Sequence, residues 1–175
     1  MKTRLIIACA FALWSGAASG ASAQMAGPGS PPLGVSVGRS IRECPQFTIF
    51  DDVDARVEGD AVVLTGKVTA ASTRSEIERR VSRLEGVRDL RNEILVLPPL
   101  REDADLRHRV AKAIYSNPSF WSYAAMSSPP IHIIVERGHV ILKGTVDTQV
   151  QRSMARSLAT GLGERSLSSE LRAER

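Results

Sequence analysis

The sequence has few of the residues that could cross-link it or hold it in a membrane. It contains only two cysteines, Cys9 and Cys44, and 5% aromatic residues. After Trp14 no apolar stretch approaches the roughly 20 residues that a membrane-spanning helix needs. Cys9 lies in an N-terminal segment that we expect to be cleaved, which leaves Cys44 without a partner in the chain. Cys44 is therefore either a buried apolar residue or a thiol that pairs between chains.

The first 23 residues have the pattern of a secretory signal peptide. Lys2 and Arg4 precede an apolar stretch over 5–14, and Ala21-Ser22-Ala23 is a small-x-small cleavage pattern. We therefore expect an exported, periplasmic protein that begins at Gln24. Cleavage removes two of the 23 basic residues and none of the 19 acidic ones, so the net charge falls from +4 to +2. So small a charge, in an exported protein, argues against a nucleic-acid partner.

One motif occurs twice along the chain. Residues 57–68 read VEGDAVVLTGKV, and residues 135–146 repeat the pattern as VERGHVILKGTV. In both copies apolar and polar residues alternate on either side of a turn, which predicts a β-hairpin. A repeated segment is normally a repeated supersecondary structure. The sequence therefore predicts two small modules in tandem, over 39–98 and 103–172.

The segments around each hairpin predict the same order of elements, helix, strand, strand, helix, strand. In module 1 a weak leading helix is expected over 39–43, after a Gly- and Pro-rich flexible leader over 24–38. Thr73-Arg74-Ser75-Glu76 has the capping-box pattern of the second helix, and Asp103 or Asp105 is expected to cap the first helix of module 2. We expect an α+β fold in which each module has a three-stranded mixed sheet under two helices. The leading helix of module 1 is expected to be short or missing.

The hairpins and the segments that follow them resemble the BON domain family, named for bacterial osmotic-stress and nodulation proteins. The resemblance rests on residues 57–68 and on GVRDLRNEI over 86–94. The second copy keeps residues 140–146, but its end over 163–171 lacks the usual Val after Gly and has Ser where Asn is expected. The resemblance implies a non-enzymatic module of the bacterial cell envelope, often in stress-related proteins, that contacts phospholipid or other envelope surfaces. It implies no catalytic residues.

No catalytic, metal-binding or cofactor-binding residues are predicted. His108, His132 and His139 lack the paired Cys or acidic spacing of a zinc site, and we expect them on the surface. The sequence also has no Gly-x-Ser-x-Gly elbow and no phosphate-binding glycine loop. A small hydrolase would require His132 to meet a Ser or Cys side chain in one pocket.

An aromatic segment over 119–126 separates the first helix and first strand of module 2. Phe120, Trp121 and Tyr123 lie in it, and they suit either a lipid interface or the groove of a partner protein. Alternatively, they fold back to fill the small core of the module. With Arg137 and Lys143, these three aromatic residues are the candidate lipid or partner contacts.

Five apolar residues are predicted on the sheet faces that point away from the helices. They are Val63, Leu95, Leu97, Ile134 and Ile141. A sheet face that is open to water is usually more polar than this. We therefore expect these residues to pack one sheet on the other, or on a second chain, although scattered exposed apolar residues would give the same pattern. A protein-interaction or scaffolding module that binds an envelope protein is the alternative to a lipid-binding protein.

Overall fold

The computed structural model describes residues 31–175, which form two modules of the same construction. The predicted signal peptide over 1–23 and residues 24–30 of the predicted leader lie outside the described residues. Module 1 consists of α1 (Leu33–Arg42), β1 (Asp52–Glu58), β2 (Ala61–Val68), α2 (Ala71–Val81) and β3 (Asp89–Val96). Module 2 consists of α3 (Arg101–Tyr115), a 3-10 turn (Pro118–Phe120), α4 (Trp121–Ala124), β4 (Ile131–Glu136), β5 (His139–Val146), α5 (Gln149–Leu158) and β6 (Ser166–Ala173). Within residues 31–175, no helix combines the length and apolar character that crossing a membrane would require.

Each module has a mixed three-stranded sheet, which confirms the predicted α+β fold in two tandem modules. The strand orders are β1-β2-β3 and β4-β5-β6, and in both sheets the first pair is antiparallel and the second is parallel. The helices cover one face of each sheet, and a separate apolar core lies beneath them. The core of module 1 contains Val37, Ile41, Cys44, Val62, Leu64, Val68, Ile77, Val81 and Ile94. Cys44 is 3% exposed, so its thiol lies inside this core.

The two modules share an unusual glycine in the middle strand of the sheet. Gly66 has φ +125° and lies opposite Val53, and Gly144 has φ +115° and lies opposite Ile131. A Cβ atom at Gly66 would overlap the carbonyl oxygen of Asp52, and one at Gly144 would overlap that of Pro130. Only glycine combines this backbone conformation with so close an approach of a second chain segment.

The leading helix of module 1 begins earlier than the sequence predicts. We expected a helix from Arg39, but α1 begins at Leu33 and includes residues 33–38 of the predicted flexible leader. Its first turn has no side-chain cap, and Gly34 and Gly38 lower its intrinsic helix propensity. Val37 and Ile41 are nevertheless buried one turn apart in the core. Tertiary packing therefore stabilises a helix that its composition disfavours.

The capping predictions for α2 and α3 are wrong. Helix α2 begins at Ala71, so Thr73 lies inside it, where its buried hydroxyl donates a hydrogen bond to the carbonyl of Gln46. Helix α3 begins at Arg101, and no side chain caps its first turn. Asp103 instead accepts hydrogen bonds from the backbone N–H groups of Arg137 and Gly138 at 2.6 and 2.8 Å. These residues bond to segments distant in sequence, which a local capping pattern does not reveal.

Module 1 contacts module 2 through the connector that leads into β1. The carbonyl of Ile49 accepts a hydrogen bond from the N–H of Ile133 at 2.7 Å. The imidazole Nδ1 of His132 lies 2.6 Å from the carbonyl oxygen of Asp51, so this nitrogen must carry the proton. The carboxylate of Asp51 is fully buried and accepts hydrogen bonds from the backbone and hydroxyl groups of Thr48 and Thr69. The connector is thus fixed on both sides.

Two ion pairs join the sheets of the two modules. Lys67 on β2 donates a hydrogen bond to Glu136 on β4, and Lys143 on β5 donates one to Asp52 on β1 at 2.6 Å. The hydrogen bond from Lys67 lowers the pKa of Glu136, an effect to which the charge of Lys67 also contributes. Both pairs are partly exposed, so each contributes modestly to stability.

Replacing Gly144 with Ala tests the shared glycine. We expect Gly144→Ala to lower the free energy of unfolding by about 3 kcal/mol or more, because the new methyl group strains the backbone and displaces the Pro130 carbonyl. The control is Gly161→Ala, where φ is +80° but no atom lies within 4 Å of the added Cβ. The free energy of unfolding of this control variant should fall by only about 1–2 kcal/mol. Equal losses in urea unfolding would contradict the close-approach explanation.

The Lys67–Glu136 pair predicts a pH-dependent contribution to stability. Because the folded state lowers the pKa of Glu136, the contribution is present above the unfolded-state pKa and is lost as the pH falls through the folded-state pKa. We expect Lys67→Met to lower the free energy of unfolding by about 0.5–1 kcal/mol at neutral pH. The difference from wild type should shrink in urea titrations as the pH is lowered into the range where Glu136 is protonated in both states. The matched control, Arg91→Met, removes a cation that is 70% exposed and should leave the free energy of unfolding almost unchanged. A loss of stability in Lys67→Met that does not depend on pH would contradict a role for the ionised Glu136.

Candidate functional site

An open depression on the described surface runs along α3 of module 2. It consists of two cavities of about 540 and 590 Å³ that share Arg109 as a lining residue. We call it the α3 groove, and its lining includes Leu100, Leu106, Arg109, Lys112, Ala113, Pro118, Arg137, Leu162 and Arg165. One cavity is lined mainly by apolar atoms, and the other has charged residues at its rim.

Helix α3 and the turn after α5 form the two sides of the α3 groove. Leu106, Val110 and Ile114 face the core at helical spacing, which leaves Arg109 and Lys112 on the exposed side of the helix. Gly161 and Gly163 have positive φ values. The turn that they form places Leu162 across the groove from Arg109 and Lys112. The Nε of Arg109 donates a hydrogen bond to the carbonyl of Leu162 at 3.1 Å. Arg109 therefore bridges the groove.

The α3 groove has an excess of positive charge. Arg109, Lys112, Arg137 and Arg165 line it, and the acidic residues in its lining are Glu102 and Asp103. Asp103 is 2% exposed, and its two oxygens accept the backbone bonds described above. Its carboxylate is therefore turned towards the hairpin backbone. An anionic ligand in the second cavity would meet the guanidinium groups of Arg109, Arg137 and Arg165.

Asp103 also positions Arg137, one of the predicted contact residues. Arg137 has φ 52°, which is unusual for a residue other than glycine. Asp103 stabilises this turn because it accepts hydrogen bonds from two consecutive N–H groups. The turn places the exposed Arg137 side chain at the rim of the α3 groove.

The structure divides the aromatic segment between the core and the surface. Phe120 is fully buried and Tyr123 is 3% exposed, and both belong to the core of module 2. Burial raises the pKa of Tyr123, whose hydroxyl donates to Gln151 and accepts from the N–H of Asp147. Trp121 is 61% exposed, and its indole Nε1 donates to the carbonyl of Ser116, a residue of the groove lining. Trp121 thus lies beside the α3 groove.

Lys143 lies in a different part of the molecule from Arg137 and Trp121. Its ammonium group bonds to Asp52 and lies 3.8 Å from Glu170. Burial alone would lower the pKa of Lys143, but the hydrogen bond to Asp52 and the neighbouring carboxylates outweigh it, and the net shift is upward. The structure therefore brings Trp121 and Arg137 to one groove and places Lys143 between the two modules.

The five predicted sheet-face residues differ in exposure. Ile134 is 2% exposed and Leu97 is 3% exposed, whereas Leu95 is 62% exposed. Val63 and Ile141 are half-buried. The residues on either side of Ile134 along β4, His132 and Glu136, both bond to module 1 on this face. The interface role of the five residues stays a prediction.

The three histidines have separate partners within residues 31–175. His132 lines a cavity of about 370 Å³ together with Ser127 and Ser128. No hydrogen bond joins His132 to a serine there, and its Nδ1 proton is directed to the Asp51 carbonyl. His108 packs edge-on against Phe50, and His139 lies 2.7 Å from the hydroxyl of Ser166. Residues 31–175 also contain no group of three or more His, Cys, Asp or Glu side chains placed to hold a metal ion.

The sequence did not identify Arg109, Lys112 and Arg165 as site residues. Arg109 and Lys112 are one turn apart on α3, which is a common arrangement on any solvated helix face. Arg165 reaches the groove only because the turn after α5 folds back against α3. The two signals available from sequence were the basic residues on α3 and the glycines of this turn.

The solved structures that match the chain include two of low sequence identity. A structural protein of the type III secretion system of Chlamydia trachomatis, CdsD, has 12% identity and a TM-score of 0.29, over 78% of this chain and 90% of that chain. The C-terminal domain of CdsD has 11% identity and a TM-score of 0.28, over 81% of this chain and 96% of that chain. No curated protein matches the chain.

Comparison with protein families identifies both modules. Residues 45–98 and residues 102–164 each match the BON domain. The first match extends from the connector after α1 to the end of β3, and the second extends from α3 to the turn that lines the α3 groove. Together the two matches cover more than half of the sequence. The chain therefore belongs to the BON domain family and contains two copies of the domain.

Proposed function

We propose that this chain is an exported, non-enzymatic binding protein of the bacterial cell envelope, and that module 2 binds anionic phospholipid surfaces through the α3 groove. BON domains are generally non-catalytic binding modules, and many of them bind phospholipid. The observation that carries the proposal is the position of the exposed Trp121 beside an apolar and cationic groove. An exposed aromatic ring and a cationic surface are two features by which proteins bind the headgroup region of an anionic bilayer.

Trp121 is arranged so that its ring can enter the interfacial region of a bilayer. Tryptophan is favoured there because its large apolar ring carries one polar N–H group. In this chain the N–H group is already satisfied by the carbonyl of Ser116. Insertion of the ring therefore leaves no unpaired donor in the apolar phase.

The cations of the α3 groove suit phosphate groups. A guanidinium presents two parallel donors to phosphate oxygens, and the groove is lined by Arg109, Arg137 and Arg165. Each basic residue near an anionic membrane surface contributes about 1 kcal/mol, and salt screens this contribution. The net charge expected for the mature chain is small, so its attraction to the membrane depends on this local cluster. Electrostatic attraction and insertion of Trp121 would act together.

The aromatic contribution is tested by Trp121→Ala in co-sedimentation with anionic vesicles. We expect the affinity to fall about tenfold, because an exposed indole loses its burial in the interface. Leu95→Ala is the matched control, since Leu95 is 62% exposed but lies in module 1. Equal effects of the two substitutions would contradict the placement of the site. If the wild-type protein stays in the supernatant with every vesicle, lipid binding is wrong and the scaffolding alternative is favoured.

The cationic contribution is tested by the double variant Arg137→Gln/Arg165→Gln. We expect weaker binding to anionic vesicles, a smaller salt dependence and unchanged weak binding to neutral vesicles. The control is Arg39→Gln/Arg83→Gln, which removes the same charge from exposed positions of module 1. A control that weakens binding as much as the groove variant would indicate attraction to total charge rather than to the groove.

A further inference from the structure

The first strands of the two sheets differ at their free edges. In module 2 three side-chain or backbone groups bond to the outward edge of β4. The hydroxyl of Tyr115 donates to the carbonyl of Ile131 at 2.6 Å, and Arg107 donates to the carbonyl of Val135 at 2.6 Å. Between them, the N–H of Ile133 donates to Ile49 of the connector. Another strand therefore has no room to pair with β4.

The corresponding edge of β1 in module 1 has no such partners. A two-residue turn joins Glu58 to Ala61, so these two residues form a hydrogen-bonded pair. Hydrogen-bonded and non-hydrogen-bonded pairs alternate from there along β1. The N–H and C=O groups of Val53, Ala55 and Val57 therefore point away from β2. Among residues 31–175, none of these outward groups has a hydrogen-bond partner. Ala55 and its neighbours Asp54 and Arg56 are exposed. The middle of β1 is thus an open strand edge.

The difference between the edges follows from the helix that lies beside each strand. Val37 and Ile41 are buried one turn apart near the end of α1, as Val110 and Ile114 are in α3, and we align the two helices on these pairs. This alignment places Gly34 where α3 has Arg107, and Arg42 where α3 has Tyr115. Glycine has no side chain that could reach the strand edge. A cavity of about 240 Å³ lies there instead, and its lining includes Gly34, Gly38, Arg42, Phe47, His132 and residues 52–55 of β1.

We propose that β1 pairs antiparallel with β1 of a second copy of this chain, about a two-fold axis at Ala55. In this register Ala55 faces Ala55 of the second copy, and Val53 faces its Val57. All of these residues direct their free N–H and C=O groups outward, so the three facing pairs would exchange about six hydrogen bonds. The two three-stranded sheets would become one continuous sheet across an isologous interface.

Charge complementarity selects this partner and this register. Asp54 of each copy faces Arg56 of the other at a position where side chains lie close together, which gives two opposite-charge pairs. Centring the axis on Val53 would bring Asp52 against Asp54. Centring it on Val57 would bring Asp54 against Asp60. At the ends of the proposed register Asp52 faces Glu58, but Lys143 already neutralises Asp52.

The self-pairing is independent of the proposed lipid binding. It uses the edge of β1 in module 1, whereas the α3 groove lies in module 2. A dimer would carry two copies of the α3 groove. If lipid binding through the α3 groove is wrong, pairing through β1 is unaffected, and the reverse also holds.

Charge exchange across the interface tests the register in sedimentation equilibrium of the purified protein. Wild type should associate reversibly to a dimer. Asp54→Arg or Arg56→Asp alone should weaken the dimer by about tenfold or more, because each creates two like-charge pairs. The two single variants mixed together, and the double variant Asp54→Arg/Arg56→Asp, should both associate as wild type does. These rescues exclude misfolding as the cause of the loss.

Two results would overturn the proposal. One is a wild-type protein that stays monomeric up to about 1 mM, a concentration at which even weak pairing is detectable. The other is a dimer that neither single variant weakens. As an independent check, Ala55→Cys should form an intermolecular disulfide under mild oxidation, since facing residues lie about 5.5 Å apart between Cα atoms. Ser168→Cys, at an exposed position of β6, is the control that should not cross-link.

Discussion

The close approach of a carbonyl group to a glycine in each middle strand organises both modules. Gly66 receives the carbonyl of Asp52, and Gly144 receives that of Pro130. In each case the carbonyl belongs to the residue at which the connector enters the first strand of the sheet. Because a side chain at the glycine would displace that residue, the glycine is what allows the connector to enter the strand at this position. The connector before β1 then bonds to β4 through Ile49, and the segment between α3 and β4 carries Trp121 beside the end of α3.

The two modules share a framework and differ in what they add to it. Module 2 has a longer first helix, and that helix supplies Arg107 and Tyr115 to close the edge of β4 and Arg109 and Lys112 to line the α3 groove. Module 1 has glycines in the shorter α1, and its strand edge is open among the described residues. The architecture therefore assigns different surfaces to the two copies of one domain. We associate membrane contact with module 2 and self-association with module 1.

The sequence predicts the repeated framework well because the framework depends on local patterns. The alternation over 57–68 and 135–146, together with the turns, predicts both hairpins, and helical spacing predicts α2, α3 and α5. The start of α1 was missed because Val37 and Ile41 stabilise it by tertiary burial against its composition. The groove was missed because Arg109 and Arg165 meet only after the turn at Leu162 folds back. The aromatic segment was recognised, but its division into buried Phe120 and exposed Trp121 depends on a short helix whose orientation only packing determines.

The most direct test of membrane contact through module 2 is the depth of Trp121 in a bilayer. Trp14, in the predicted signal peptide, is replaced by Phe so that Trp121 is the only tryptophan. Emission is then recorded with anionic vesicles that carry brominated acyl chains. Membrane contact through Trp121 predicts a blue shift and quenching by bromine atoms near the headgroups, both reduced by high salt. Emission that stays unshifted and unquenched, while the protein remains folded, would contradict it.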